Sequence, residues 1–139
     1  MFEQCIYFNL NALVRDLNKI WEAQFVDLGL TPPLGYMLAL ILSEPGLSQK
    51  DLAQRLHLER STVTRFLEVL ENKGLIRRES APEDGRVIRV SPSEKGKALK
   101  PKVFKVLKKV SAVLDSKMAG QEIEALLKMS CKMREKLNG

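Results

Sequence analysis

The order of apolar and polar residues along the chain predicts six helices. Between residues 4 and 28, apolar side chains recur every three or four positions, which is the spacing of one helical face. The segment at about 32–43 is apolar nearly all round, so we expect a buried helix there. The same periodicity predicts the remaining helices at about 49–56, 60–73, 94–117 and 121–137.

Capping and turn residues support these boundaries. Gly29 and Gly74 follow two of the helices, where a glycine commonly ends a helix. Thr31 followed by a proline supplies an N-cap and a first-turn proline. Ser48 with Asp51 three residues later fits a capping box. The predicted helices are therefore bounded by residues that commonly begin or end a helix, and not only by stretches of weak periodicity.

Two short segments between the fourth and fifth helices predict a β-hairpin. Leu75–Glu79 and Arg86–Val90 alternate imperfectly and are joined by a polar, charged loop. A short helix, a tight turn, a longer helix and a hairpin form the winged variant of helix-turn-helix. The predicted fold class is mainly α with a small β-hairpin.

The long terminal helices extend beyond a compact winged module. We predict one domain over 1–139, in which 31–92 form the winged helix-turn-helix module. Residues 1–30 and 93–139 would be dimerisation helices, because crossing a second copy would bury their apolar stripes. The alternative is that these helices pack back on their own core.

The composition and the motifs that the chain lacks argue against several classes of protein. The 139 residues match one domain of roughly 100–150 residues, and 45% hydrophobic with 29% charged residues is ordinary for a globular protein. Two distant cysteines and one histidine are too few for a zinc site, and no nucleotide-binding or hydrolase motif is present. We expect no cofactor and no enzyme activity. Without an apolar run near 20 residues or a signal-peptide pattern, we expect a cytoplasmic protein with no membrane contact.

The net charge of +6 is unevenly distributed. Residues 1–44 hold two basic and five acidic residues, whereas 45–104 hold 13 basic and eight acidic ones. Residues 105–139 hold eight basic and four acidic ones. Proteins that bind polyanions concentrate basic residues in one region, because neutralised phosphates release counterions. The distribution favours double-stranded DNA as a partner; a solvated lysine-rich surface is the alternative.

The predicted helix at 60–73 has the pattern of a recognition helix. Its apolar residues cluster on one face, and Glu68 lies on the opposite face, where its carboxylate would repel phosphate. Glu68 could avoid this by lying beyond the DNA groove, two turns along the helix, or by pairing with Arg65 or Asn72. Recognition helices present their N-terminal half to base edges, where arginine binds guanine and threonine meets a thymine methyl group. The candidate base-reading residues are Arg60, Ser61, Thr62, Thr64 and Arg65. The alternative is that the hydroxyls only cap the helix and the arginines only solubilise it.

Residues outside this helix complete the candidate DNA-binding set. Ser48 and Gln49, at the start of the preceding helix, are suited to phosphate. Arg86 at the hairpin tip could enter a narrow minor groove, which attracts arginine. Asp84 is expected to hold an arginine in position through paired hydrogen bonds. A merely solvated turn is the alternative for the tip.

These motifs resemble the MarR (multiple-antibiotic-resistance regulator) family. The resemblance is carried by the runs 47–53, 61–65 and 70–78 and by Asp84-Gly85-Arg86. Pro92 and Ser93 stand where the family pattern has leucine and threonine. The resemblance implies a homodimeric winged-helix regulator that binds pseudo-palindromic operators, usually represses, and is often released by a small anionic or phenolic ligand.

The resemblance does not identify the effector or the residues that would respond to it. Trp21, Tyr36 and Met37 could line a ligand pocket between the dimerisation helices and the DNA-binding module, or be plain core. Cys5 could sense peroxides as in some family members, or be an unreactive thiol. A winged-helix module that binds protein instead of DNA is the rival function. It would need an apolar or acidic recognition face, whereas this one carries Arg60 and Arg65.

Overall fold

The computed structural model describes all 139 residues and contains six α-helices and one three-stranded antiparallel sheet. The predicted fold class is confirmed. The helices are α1 (Ile6–Phe25), α2 (Pro32–Ser43), α3 (Gln49–Leu56), α4 (Arg60–Asn72), α5 (Glu94–Lys117) and α6 (Gly120–Asn138). The strands are β1 (Leu47–Ser48), β2 (Ile76–Ala81) and β3 (Asp84–Pro92).

The first predicted helix is shorter than the pattern indicates. The sequence pattern predicts one helix over 4–28, but Cys5 has extended backbone angles and separates a 3-10 turn, Phe2–Gln4, from α1. The Asn9 side chain donates to the carbonyls of Glu3 and Cys5 at 3.0 and 2.9 Å, which satisfies backbone groups at the break. A second 3-10 turn ends at Gly29, whose φ of 66° lies in the left-handed region as a glycine stop requires.

The sheet is larger than the predicted hairpin. β2 begins one residue after the predicted 75–79 and ends two residues later, β3 extends beyond the predicted 86–90 at both ends, and β1 adds a third strand. β1 pairs Leu47 with Val90 and Ser48 with Arg89, so β3 is the central strand. Two residues are too few to show alternation, which is why the hydrophobic pattern does not predict β1.

The chain divides into two compact units, Met1–Val106 and Leu107–Gly139. The core of the first unit contains fully buried side chains from α1 to α4, from β3 and from the start of α5: Phe25, Met37, Leu38, Ile41, Leu52, Val63, Leu67, Leu70, Val90 and Val103. In the second unit, α6 has no buried residue. None of the helices by itself combines the length and the hydropathy of a membrane-spanning segment. The segments Ile6–Leu28 and Pro32–Ser43, which are bent by 62° relative to each other, reach that length and composition only when taken together.

Candidate nucleic-acid interface

The start of α3 is held by a complete capping box. The Ser48 hydroxyl accepts from the backbone N–H of Asp51 at 3.0 Å, and Asp51 Oδ2 accepts from the backbone N–H of Ser48 at 3.2 Å. Hydrogen bonds from Ser48 keep the pKa of Asp51 below its ordinary value. The predicted capping box is confirmed, and it engages the Ser48 amide that could otherwise have met phosphate.

Helix α4 buries one face and exposes the other, as its sequence pattern predicts. Val63, Leu67 and Leu70 are buried against the core. Of the candidate base-reading residues, Arg60, Ser61 and Arg65 are exposed, and Thr62 and Thr64 are half-buried. The polar first half of α4 is therefore free to meet a ligand from solvent.

Thr64 links the two helices of the helix-turn-helix. Its hydroxyl donates to the carbonyl of Arg60 at 3.1 Å, one turn back on α4. Gln49 Nε2 donates to the same hydroxyl at 3.4 Å, so a side chain from the start of α3 reaches the middle of α4. Gln49 and Thr64 thus help hold the two candidate DNA-contacting helices together.

Arg65 and Glu68 extend the exposed face of α4. The guanidinium carbon of Arg65 lies 5.5 Å from the centroid of the Phe66 ring, a cation–π distance. Glu68 is exposed and forms no hydrogen bond or ion pair with Arg65 or Asn72. The pairing suggested as one alternative for Glu68 is therefore not present.

The hairpin tip carries a bulge. Ser80 pairs with Ile88, but the next residue, Ala81, pairs with Asp84. The three intervening residues, Gly85, Arg86 and Val87, have no partner on β2. A bulge of this kind bends a strand and re-aims its side chains, and here it carries Arg86 outward.

Asp84 holds Arg86 as the sequence pattern suggests. Its Oδ1 accepts from the Arg86 backbone N–H at 3.0 Å and from Nε at 3.2 Å, and Oδ2 accepts from Nη2 at 3.3 Å. These bonds keep the pKa of Asp84 below its ordinary value. The Arg86 side chain is 92% exposed, so its guanidinium is held in solvent rather than against the core.

Five of the predicted residues line one cleft of about 410 Å³ between the start of α3, the first half of α4 and β3. They are Ser48, Gln49, Arg60, Thr64 and Arg86. Lys50, Val87 and Ile88 complete the lining and were missed by sequence reasoning. The cleft contains three cationic side chains and no carboxylate, so its charge suits a polyanion.

Of the three cleft residues that the sequence analysis does not predict, only Lys50 has a chemical signal in the sequence. Lys50 directly follows Ser48 and Gln49 and is a basic side chain in the first turn of α3, so its charge suits phosphate as well as the groups of its two neighbours do. Val87 and Ile88 carry no chemical signal, and only the packing of the hairpin beside α3 and α4 brings them to the cleft. Ser61, Thr62 and Arg65 lie outside the cleft, elsewhere on α4.

An ion pair fastens the end of α4 to the hairpin. Arg78 of β2 donates through Nη2 to Glu71 Oε1 at 3.0 Å and through Nε to Oε2 at 3.3 Å. The hydrogen bonds from Arg78 keep the pKa of Glu71 below its ordinary value and raise that of Arg78. This paired geometry orients the hairpin relative to α4.

The candidate effector residues lie in the first unit. Trp21 Nε1 donates to the Tyr36 hydroxyl at 2.9 Å, and the Tyr36 ring lies 5.9 Å from that of Phe25. Trp21 is half-buried and Tyr36 exposed, whereas Met37 is fully buried in the core. Cys5 is half-buried and Cys131 is exposed, and both are free thiols.

The chain is similar to known transcriptional regulators. A family model described as MarR family matches residues 30–88. The organic hydroperoxide resistance transcriptional regulator of Bacillus subtilis (strain 168) is 29% identical over 124 residues, which cover 89% of this chain and 83% of that relative. The crystal structure of MarR is 26% identical with a TM-score of 0.72, covering 96% of this chain and 90% of that one.

A further solved structure shares the fold at lower identity. BpsR of Bordetella bronchiseptica, whose DNA binding is regulated by 6-hydroxynicotinic acid, matches with a TM-score of 0.86 over 96% of both chains at 19% identity. Together with the cationic cleft beside an exposed recognition helix, these matches decide the class of protein. Residues 30–88 match the MarR family of winged helix-turn-helix proteins, and the chain is a DNA-binding transcriptional regulator.

Proposed function

We propose that this regulator acts as a homodimeric repressor of a pseudo-palindromic operator in the cytoplasm and is released by a small anionic or phenolic ligand. The observation that carries the proposal is the cleft that joins α3, α4 and the hairpin. Arg60 and Arg86 come from elements far apart in the sequence, yet both line this one cationic surface. A surface of that charge attracts the phosphate backbone of DNA.

Each predicted residue has a role in this proposal. Arg60, Ser61, Thr62, Thr64 and Arg65 read base edges in the major groove. The Ser48 hydroxyl, which can still donate, and the Gln49 side chain contact phosphates and set the register. Arg86 enters the minor groove, and Asp84 orients it. The module over 31–92 therefore makes all contacts with one half-site.

The dimer is inferred from apolar side chains that water would otherwise meet. In the first unit, α1 exposes Ile6, Tyr7 and Phe8, with Tyr7 at 69%. In the second unit, α6 exposes an apolar stripe of Leu126, Met129, Met133 and Leu137, with Met129 at 62%. We propose that residues 1–30 and 93–139 bury these side chains against a second copy, since contiguous apolar patches mark interaction sites.

A small-molecule effector is proposed from the site around Trp21 and Tyr36. Their hydrogen-bonded side chains combine an aromatic surface with polar groups at a partly solvated position, which suits a phenolic or carboxylate ligand. BpsR, which shares the fold, responds to such a compound. Because Met37 is fully buried, a ligand would reach it only after the core opens.

Selection of bound sequences from a random pool of duplex DNA tests this function. We expect a pseudo-palindrome whose half-sites are about 10 base pairs apart, because two recognition helices of a dimer enter successive major grooves. Binding to unrelated duplexes should weaken with rising salt. Binding without a salt-dependent slope would instead favour the protein-interaction module.

Arg86→Ala is expected to weaken operator binding while leaving the selected sequence unchanged. The guanidinium adds an electrostatic contact at the groove, but a minor-groove contact distinguishes bases poorly. Titration of the operator and repetition of the pool selection measure the two effects. Unchanged operator affinity would contradict the role assigned to Arg86.

Release by oxidation of Cys5 is a second candidate function. The observation in its favour is the Bacillus relative, which is named an organic hydroperoxide resistance regulator. A peroxide would oxidise the Cys5 thiolate to a sulfenic acid and be reduced to the corresponding alcohol or water. Cys5 is half-buried beside the break that precedes α1, so oxidation there would disturb the start of that helix.

Peroxide treatment of the purified protein tests this candidate. If Cys5 is the sensor, treatment should lower the DNA affinity of the wild type and of Cys131→Ser but leave Cys5→Ser unaffected. Cys131 is the matched control because it is the other free thiol and is exposed on α6. An unchanged affinity of the treated wild type would remove the redox function.

A further inference from the structure

We propose that Arg89 is a positioning residue that fixes the hairpin tip, and through it Arg86, against the start of α3. This role rests on the proposed contact of Arg86 with DNA, for which Arg89 would hold the Arg86 side chain in place. The Arg89 guanidinium joins the base of the hairpin to its tip.

The backbone alone holds the tip weakly. β1 pairs with β3 only at Arg89 and Val90, so the hairpin beyond that point is a two-stranded ribbon. Isolated two-stranded ribbons are marginally stable, and the bulge at Gly85–Val87 removes further pairing close to the tip. Side-chain contacts must therefore supply much of the order around Arg86.

Arg89 makes two such contacts in opposite directions. Its Nη1 donates to the carbonyl of Gly46 at 3.1 Å, and its Nη2 forms an ion pair with the carboxylate of Glu83. Gly46 has a φ of 93° and donates its own N–H to the carbonyl of Val90 at 2.8 Å. It lies two residues before Ser48, the N-cap of α3, so the guanidinium reaches from the approach to α3 to the hairpin turn.

The contact continues from Glu83 to Arg86. Glu83 lies in the turn and directly precedes Asp84, the residue that accepts three hydrogen bonds from Arg86. Arg86 has no other hydrogen-bond partner, so its direction follows Asp84. The hydrogen bond from Arg89 keeps the pKa of Glu83 below its ordinary value, which keeps the carboxylate ionised and paired.

Glu83→Gln separates positioning from charge, because the two predict opposite signs. The substitution removes a negative charge beside the DNA-binding surface, so charge alone would tighten binding. Loss of the ion pair would free the tip, and we expect operator binding about three- to tenfold weaker at fixed salt. Glu79→Gln is the matched control: Glu79 is an exposed carboxylate of β2 without an ion pair, and its loss should leave binding equal or tighter.

A double-mutant cycle tests whether the effect passes through Arg86. In the wild type, Arg86→Ala removes a positioned contact; in the Glu83→Gln background the same change should cost less, because Arg86 is already free. Arg89→Lys keeps the charge but cannot join Gly46 and Glu83 through separate nitrogens, so it should lower affinity and reduce the Arg86→Ala penalty in the same way.

Amide hydrogen exchange of the free protein tests the contact without DNA. The Arg86 amide, which donates to Asp84, should exchange faster in Glu83→Gln than in the wild type or Glu79→Gln. Unchanged exchange, tighter operator binding by Glu83→Gln, or an undiminished Arg86→Ala penalty in that background would each overturn the proposal. A wild type without salt-dependent DNA binding would contradict the proposed function instead, and exchange would then decide on Arg89 alone.

Discussion

Replacing Gly96 with alanine is expected to lower the free energy of unfolding by about 3 kcal/mol, the upper end of the usual cost of overpacking a core. Gly96 is buried in the first turn of α5, and a Cβ there would overlap the backbone carbonyl oxygen of Leu75. A backbone atom cannot turn aside as a side chain can. Either α5 or the chain entering β2 would have to shift.

The surrounding hydrogen bonds oppose that shift. The Leu75 carbonyl accepts from the backbone N–H of Ser93 at 3.0 Å, and the Ser93 hydroxyl accepts from the N–H of Gly96 at 3.0 Å. The same hydroxyl donates to the carbonyl of Gly74 at 2.5 Å. Moving α5 away from Leu75 would therefore break contacts at the junction of α4, β2 and α5.

Chemical denaturation measures this cost against a matched glycine. Gly85→Ala adds a Cβ to open space on the hairpin, and the change should stay within about 0.5 kcal/mol of the wild type. A similar loss in both variants would show that removal of glycine, and not the contact with Leu75, is responsible.

Arg65→Ala is expected to cost about 1–3 kcal/mol of affinity for the operator and to relax its base preference. Arg65 is exposed on the first half of α4, where its guanidinium lies over the Phe66 ring. A guanidinium can bind guanine through two hydrogen bonds, which methyl substitution removes entirely. The effect on unrelated duplexes should be smaller, because they retain only the electrostatic part.

Titration with the selected operator and with a scrambled duplex separates base reading from charge. Arg77→Ala is the charge-matched control, since Arg77 is an exposed arginine of β2 without an ion pair. It should lower affinity for both duplexes alike. If Arg65→Ala did the same, Arg65 would be a phosphate contact and not a base contact.

Much of the helical framework could be predicted because its signals are local. The buried face of α4 follows from the spacing of Val63, Leu67 and Leu70, which lie within two turns of one another. The start of α3 follows from Ser48 and Asp51, which satisfy each other's backbone donors within four residues. Asp84 and Arg86 also meet within one turn of chain, so their pairing could be expected.

The departures from prediction occur where distant segments meet. β1 exists only because Leu47 and Ser48 lie beside Val90 and Arg89, and two residues have no periodicity of their own. Pro92 stands where the family pattern has leucine, yet it is buried as the last residue of β3, opposite Ile76. β1 pairs with β3 only at Arg89 and Val90, so Pro92 has a neighbouring strand on one side only, as in an edge strand, where proline is tolerated.

Local sequence patterns predict most of each helix, the capping box of α3, the buried face of α4 and the residue types suited to DNA, whereas Thr31 begins α2 without the predicted side-chain cap. Those properties depend on contacts between residues a few positions apart. Only the tertiary structure decided that Arg60 and Arg86 share a cleft with Lys50, and that Arg89 joins Gly46 to Glu83. Such contacts depend on how β3 packs beside α3 and α4, and long-range packing leaves no periodic signal in the chain.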